Sequence, residues 1–541
     1  MARAADKIFH KGPIITVDED TPTAEAVAIA EGRIVSVGDL AGMSDLRDAD
    51  TEIVDLEGRT MVPGLIDGHA HANAFGSQAV GAVLLAPPDG DINSVDDIIG
   101  RLTEFAAGPD VDKTGWVFGL GYDDSLLGRH PIRDDLDKVS MEVPVMAVHI
   151  SGHMCSVNSK ALELAGITAE SPDPQGGVIR RRDGSQEPDG VLIELAGIPL
   201  IFQAVFPTNP EAVEYFATQG LAMAKSYGYT TLHEGRAFAP HHQGMVTNAE
   251  HGLYDIDLLS YIDYTAKDII TPPWFGQAYH NRYRIAGVKL TLDGSPQGRT
   301  AWRTIPYLLP PEGEDADYAG FPVVPDDVVQ DTVNWAYEAG VQIIIHANGD
   351  AAIDQMINAV RVATEKYTAG DRRTVLIHGQ FVRPDQLDAC AELDIFPSLF
   401  PMHTFYWGDW YDRIIGPELA QQISPTRSAL DRVPRITSHT DAPIALPNLM
   451  NILATTVNRT SRSGKVMGPD ERLTPMEALK CVTIWSAYQH FEEDTKGSIT
   501  PGKLADLVIL SDNPLTIDPA LLGTITVRET IKEGKTVYRA S

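Results

Sequence analysis

The chain has 541 residues, 43% of them apolar and 22% charged, with 75 acidic against 43 basic side chains and a formal charge of −32. These proportions fit a globular enzyme with a large core and more than one domain. The acidic excess is spread along the chain and argues against nucleic acid or an anionic membrane as partner, since both need basic patches.

Cys155, Cys390 and Cys481 are too few and too scattered for a disulfide framework or a thiolate zinc site, so a reducing, cytoplasmic setting is expected. The opening MARAADKIFHKGPIITVDED lacks the apolar core of a signal peptide. No apolar run approaches the roughly 18 residues that span a bilayer.

In chain order, KIFHKGPIITV, AEAVAIAEGRIVSVGD and TEIVDLEGRTMVPG alternate apolar and polar residues between Gly and Asp turn signals, which predicts β-hairpins. KLADLVILSD and RETIKEGKTVYRAS repeat that texture at the other end. Sixty residues of hairpins make a weak core, so residues 1–60 and 492–541 are expected to pair into one small β-domain. Between them, short apolar strands alternate with helical patterns, the signature of βαβ units around a parallel sheet. The candidates are 61–67, 229–234, 256–263, 285–293, 341–347, 374–379, 394–400 and 433–441. Eight strands close a (β/α)8 barrel, expected over 61–491. The gap at about 72–228 is too long for one crossover and predicts an insertion with its own structure.

Polar residues end several of these strands. In GLIDGHAH, His69 and His71 stand two apart and so face one side of a strand. Lys289 lies in the apolar GVKLTL, where a lysine is costly unless paired. His346, His378 and Asp441 close the fifth, sixth and eighth candidates. In a barrel of this kind, strand C-termini deliver the active site, so six residues of metal-ligand type converge from five strands. Each alone has an ordinary structural reading; the joint arrangement predicts a shared metal site.

The motifs LIDGHAH, SGHMCSVNSKAL, GYTTLHEG, GVKLTLDGSPQGRTA, VQIIIHANGD, VLIHGQ, HTDAPI and KGSITPGKLADLVIL resemble the amidohydrolase superfamily. Within it they resemble the amidohydrolase 3 branch that includes N-substituted formamide deformylases. That resemblance implies an α/β fold with a TIM-like barrel beside a β-sandwich built from both termini. It implies two divalent metals, with His69 and His71 on one and His346 and His378 on the other. A carboxylated Lys289 would bridge them, and Asp441 would bind the first metal and move the proton. Nitrogen and oxygen donors suit Zn²⁺, with Mn²⁺, Fe²⁺ or Co²⁺ as alternatives.

The reaction expected is hydrolysis of an amide C–N bond by metal-activated hydroxide. No G-x-S-x-G elbow stands before a helix and no H-E-x-x-H occurs. A mononuclear deaminase of the same superfamily is the nearest alternative. Its usual H-x-x-E reads His346-Ala347-Asn348-Gly349 here. An inactive interaction protein on this fold is the other alternative, and it predicts broken ligand positions. The expected partners are a small-molecule amide and, in a homodimer, a second copy of the chain.

Five further residues are candidates for the substrate pocket. Many relatives end the last strand in Gly-Ser-Asp, whereas this chain reads Ser438-His439-Thr440-Asp441. His439 shares the face of Asp441, to orient a ligand, touch substrate or pack. In SLFPMHTFYWGDWYDR, read as a loop over 398–413, His403, Trp407 and Trp410 line the pocket or pack its rim. His153 in SGHMCSVN resembles a position at which this branch lets its insertion reach the substrate. The insertion and this loop are expected to cover the barrel mouth.

Overall fold

The run MVPGLI does not stay in one element. A computed structural model describes residues 4–541 except 88, 175, 176, 207, 208, 312 and 369. In it, Thr60–Pro63 pairs antiparallel with Leu507–Leu510. Leu65–Ile66 then enters a different sheet, parallel to the strand Tyr229–Ala237. Gly64 makes the transition because a Cβ there would lie 2.2 Å from Thr230 Oγ1. An apolar run that looks like one strand is therefore two short ones, both buried.

The chain divides into two compact units. The first comprises Met1–His71, Ala224–Asp441 and Pro447–Ser541; the second comprises Ala72–Met223 and Ala442–Leu446. Within the first unit, strands from both ends of the chain share one eight-stranded sheet. Its middle joins Lys7–Ile15 from the start to Leu507–Leu510 from the end, through Thr60–Pro63. Phe9, Ile14, Val27, Met61, Leu507 and Ile531 form its core.

The first unit also holds a curled sheet of eight parallel strands in chain order. They are Leu65–Ile66, Tyr229–Ala237, Asp257–Asp263, Tyr283–Thr291, Gln342–Ala347, Thr374–His378, Ile395–Leu399 and Thr437–Ser438. Val, Ile and Leu fill them because both faces are buried, as in parallel sheets covered by helices. The first and eighth strands are tied just beyond their ends. Asp441 N–H donates to His69 O at 3.0 Å, and Thr440 N–H and Oγ1–H both donate to Asp67.

The second unit has its own six-stranded sheet, with Val117–Tyr122, Val145–His149 and Met154–Val157 near its centre. Its core gathers Phe118, Met146, Cys155, Leu192 and Phe216. The short segment Ala442–Leu446 belongs to it: Gln78 donates to the carbonyls of Pro443 and Ala445 at 3.0 and 3.2 Å. Among the described residues, no helix is long and apolar enough to cross a membrane.

One expected loop is not a loop. Residues 398–413 divide into the end of the seventh strand and an α-helix, Met402–Ile414. Its buried side packs Tyr411 and Ile414 with Tyr307, Ile415, Ile423 and Met467, and Trp407 and Trp410 rest against that cluster. Aromatics that read as loop packing are a helix face with a core of its own.

Candidate metal centre

Register sets the depth of each side chain. Lys289 pairs with Ile344, whereas His346 pairs with Thr291, two residues further along the fourth strand. His378 pairs with Ala347. The lysine thus sits one layer deeper than the two histidines. His69 and His71 follow the first strand, and Asp441 follows the eighth.

These groups converge. Nε2 of His69 lies 3.1 Å from Lys289 Nζ and 3.7 Å from Asp441 Oδ1, and His71 Nε2 lies 3.5 Å from the same carboxylate oxygen. His69, His71 and Asp441 place one ligand atom each within 4.8 Å of one another. The ring of His378 stands 5.5 Å from that of His69 and 4.4 Å from that of His346. His69, Lys289 and His378 are buried, while His71, His346 and Asp441 are partly open.

The electrostatics suit a cation. Burial pushes Lys289 down to about 7, against the opposing pull of Asp441, so a large fraction is neutral amine near neutral pH. Burial also holds His69, His346 and His378 well below the usual histidine range, which keeps their lone pairs available. His71 goes the other way. Burial works to lower it, but hydrogen bonds to Asp441 and Glu234 raise it to about 9. A proton on His71 therefore balances two carboxylates where a divalent ion would otherwise do so. Imidazole nitrogens and a carboxylate at this spacing fit Zn²⁺ or a similar ion.

Five residues outside the sequence expectations hold the arrangement. His233, on the second strand, accepts the Ala70 N–H at its Nδ1 at 3.1 Å. Gly235 N–H donates to Ala70 O at 2.7 Å, so both sides of the peptide between His69 and His71 are gripped. Glu234 lies 3.5 Å from His71 Nδ1. Asp67 accepts from His69 N–H, Thr440 and the Tyr229 hydroxyl; burial still raises its pKa to about 6. Asp293 plays a comparable part after the fourth strand. It accepts backbone N–H groups from Trp302, Asn348 and Gly349 and stands 3.5 Å from His346 Nε2. Of these, His233 and Glu234 carried the signal already used elsewhere: histidine and carboxylate at the end of the candidate strand YTTLHE.

The remaining candidates fall in three places. His439 is buried, 3.1 Å from His378 Nδ1, and its ring stacks on Phe400. Phe400 meets His403, which meets Trp407, with ring centres 5.0 and 4.7 Å apart. His403 hydrogen-bonds the Tyr411 hydroxyl, and burial lowers its pKa to about 3. The Trp410 indole N–H donates to Gln297 O at 3.2 Å. His153 belongs to the second unit, where it is half exposed and bonded to Glu194 at 3.1 Å.

A second group, Asp123, Asp124 and His149 in the second unit, also brings ligand atoms within 4.8 Å. Its chemistry differs. His149 Nδ1 accepts the Ser151 N–H at 3.1 Å, so a neutral ring carries its proton on Nε2 and donates it to Asp124 at 2.9 Å. The group is a histidine–carboxylate pair.

The chain belongs to the amidohydrolase family, whose model matches residues 52–538. Membership makes it a hydrolase of the amidohydrolase superfamily, whose members are metal-dependent. It is 30% identical to the protein LONG AFTER FAR-RED 3 of Arabidopsis thaliana, over 94% of this chain and 88% of that one. It is 27% identical to the N-substituted formamide deformylase of Arthrobacter pascens, over 99% of both chains. Its fold matches the crystal structure of an uncharacterized metal-dependent hydrolase from Pyrococcus furiosus with a TM-score of 0.74. There the identity is 24%, over 94% of this chain and 100% of that one.

Proposed function

We propose that this protein hydrolyses a non-peptide C–N bond of a small amide, N-substituted formamides being the first class to test, and that Asp441 moves the proton. The observation that carries this reading is Lys289: a buried lysine with its Nζ 3.1 Å from His69 Nε2, and with near-neutral basicity. Its neutral amine adds to CO₂ and loses a proton, giving an anionic carbamate with two oxygens. An ammonium group could not ligate a cation; a carbamate can.

In this reading His69, His71 and Asp441 hold one divalent ion and His346 and His378 hold another, with carboxylated Lys289 between them. Zn²⁺ is the first choice. When bound, such ions act as Lewis acids that activate water and polarise a carbonyl. The protein's own part is positional. Asp441, fixed by its N–H bond to His69 O, faces His69 and His71 and takes the nucleophile's proton, then returns it to the leaving nitrogen. Glu234 holds His71 from its other side. His403, Trp407 and Trp410 are proposed to contact the acyl or N-substituent, as is His153.

The same reading takes the parallel sheet as a (β/α)8 barrel over 61–491, interrupted by an insertion at about 72–228. Strands from 1–60 and 492–541 form the composite β-sandwich. The backbone bond from Asp441 to His69 supports closure between the eighth and first strands.

The test is Lys289→Ala, assayed for bound metal and for turnover of N-formyl, N-acyl and cyclic amides. Metal and activity should fall together, with partial rescue by short-chain carboxylates. Full metal content with intact turnover would overturn the bridging role.

A further inference from the structure

We propose that His439 is a positioning residue: with Ser398 it forms a relay that fixes the tautomer and ring orientation of His378. The proposal rests on the metal reading above. His378 closes the sixth strand at a φ of +78°, a conformation that non-glycine residues seldom adopt. Its Nδ1 lies 3.1 Å from His439 Nε2, and His439 Nδ1 lies 3.0 Å from Ser398 Oγ. All three side chains are buried.

Proton bookkeeping leaves one arrangement. For His378 Nε2 to offer its lone pair to a cation, Nδ1 must carry the proton and donate it. The acceptor in reach is His439 Nε2, so His439 must carry its own proton on Nδ1. That proton goes to Ser398 Oγ. Each ring is thereby held in a single neutral tautomer, with His378 Nε2 left free. Phe400 keeps the middle ring in place, stacked at 17° with centres 5.3 Å apart. Ser398 stands on the seventh strand, and His439, one residue past the eighth, still donates its N–H to Leu399 O of the seventh at 3.1 Å, so the relay is anchored to the sheet.

A side chain without an acceptor at 439 would leave the His378 N–H buried and unpaired. Outer partners of ligand histidines set metal affinity by about 10–100-fold. His439 thus acts on the metal through His378. It does not touch substrate.

The experiment compares His439→Phe and His439→Gln with wild type, using Zn²⁺ competition against a chelating dye, alongside kinetics and thermal melts. Phenylalanine keeps the ring stacking and loses the acceptor. Glutamine places a carbonyl oxygen near the position of Nε2. The Phe variant should bind Zn²⁺ about 10–100-fold more weakly with unchanged KM, and the Gln variant should recover most of the affinity. If the Phe variant does not fold, His439→Asn replaces it with the same expected loss, its carboxamide being too short to reach His378. Equal Zn²⁺ affinity in the Phe variant and wild type overturns the relay, and so does a raised KM with metal unchanged. Equal losses in the Phe and Gln variants overturn it too. A wild-type protein that holds no metal would overturn the metal reading itself, and the relay with it.

Discussion

Gly235 carries no side chain because His69 fills the space: a Cβ there would lie 2.1 Å from His69 Cε1 and 2.5 Å from its Nδ1. Gly235→Ala should therefore displace the imidazole and lower metal content while leaving the melting temperature within a few degrees of wild type. Full metal occupancy in that variant would show that His69 is not held against the second strand. At this scale the convergence of His69, His71, Lys289, His346, His378 and Asp441 was legible in the sequence, because ligand-type residues at the ends of apolar strands stand out locally. Asp67 and Asp293 were not. Asp67 is fixed through Thr440, which lies 373 residues away, and Asp293 through the N–H groups of Trp302, Asn348 and Gly349, the last 56 residues on. Such long-range partners leave no mark on local spacing.

At the scale of elements, six of the eight parallel strands matched the apolar runs closely, and the other two were read too long. The run 61–67 splits between two sheets, and the eighth strand covers only Thr437–Ser438. Periodicity shows apolar stretches but does not show which sheet accepts them. Helix Met402–Ile414 was missed because its aromatic content masks the helical period.

A charged cluster joins the third parallel strand to the terminal sheet. Asp257 accepts from Lys496 at 2.7 Å and Lys532 at 2.5 Å, and Lys532 also bonds Asp506. All four side chains are buried. Burial works to raise the pKa of Asp257, but the two ammonium groups overcome it and hold the carboxyl far below the usual range. A depressed carboxylate contributes stability above its unfolded pKa of about 3.9, and that contribution is lost as pH falls through the folded value. Asp257→Asn should cost about 3 kcal/mol at neutral pH, as expected for breaking a buried ion pair. The gap to wild type should narrow as pH drops below about 4, measured by urea unfolding at several pH values. A gap independent of pH would remove the ion pair from the account.

The molecule as a whole combines an acidic surface, a parallel sheet that brings distant residues to one place, and a second unit with its own core. The eight-strand pattern was legible because the alternation of strands and helices is periodic over hundreds of residues. That Ala442–Leu446 joins the second unit was not, since five residues carry no pattern. The central claim is that Asp441 is the proton shuttle of a metal-dependent C–N hydrolase. The most direct measurement is kcat of Asp441→Asn on a cleaved amide, with metal content determined on the same sample. Asparagine keeps the shape and a carbonyl oxygen but removes the base. The account predicts a variant that retains much of its metal and binds substrate yet loses about a thousandfold in kcat. A kcat within about tenfold of wild type, well short of what a positioned proton carrier contributes, would contradict it.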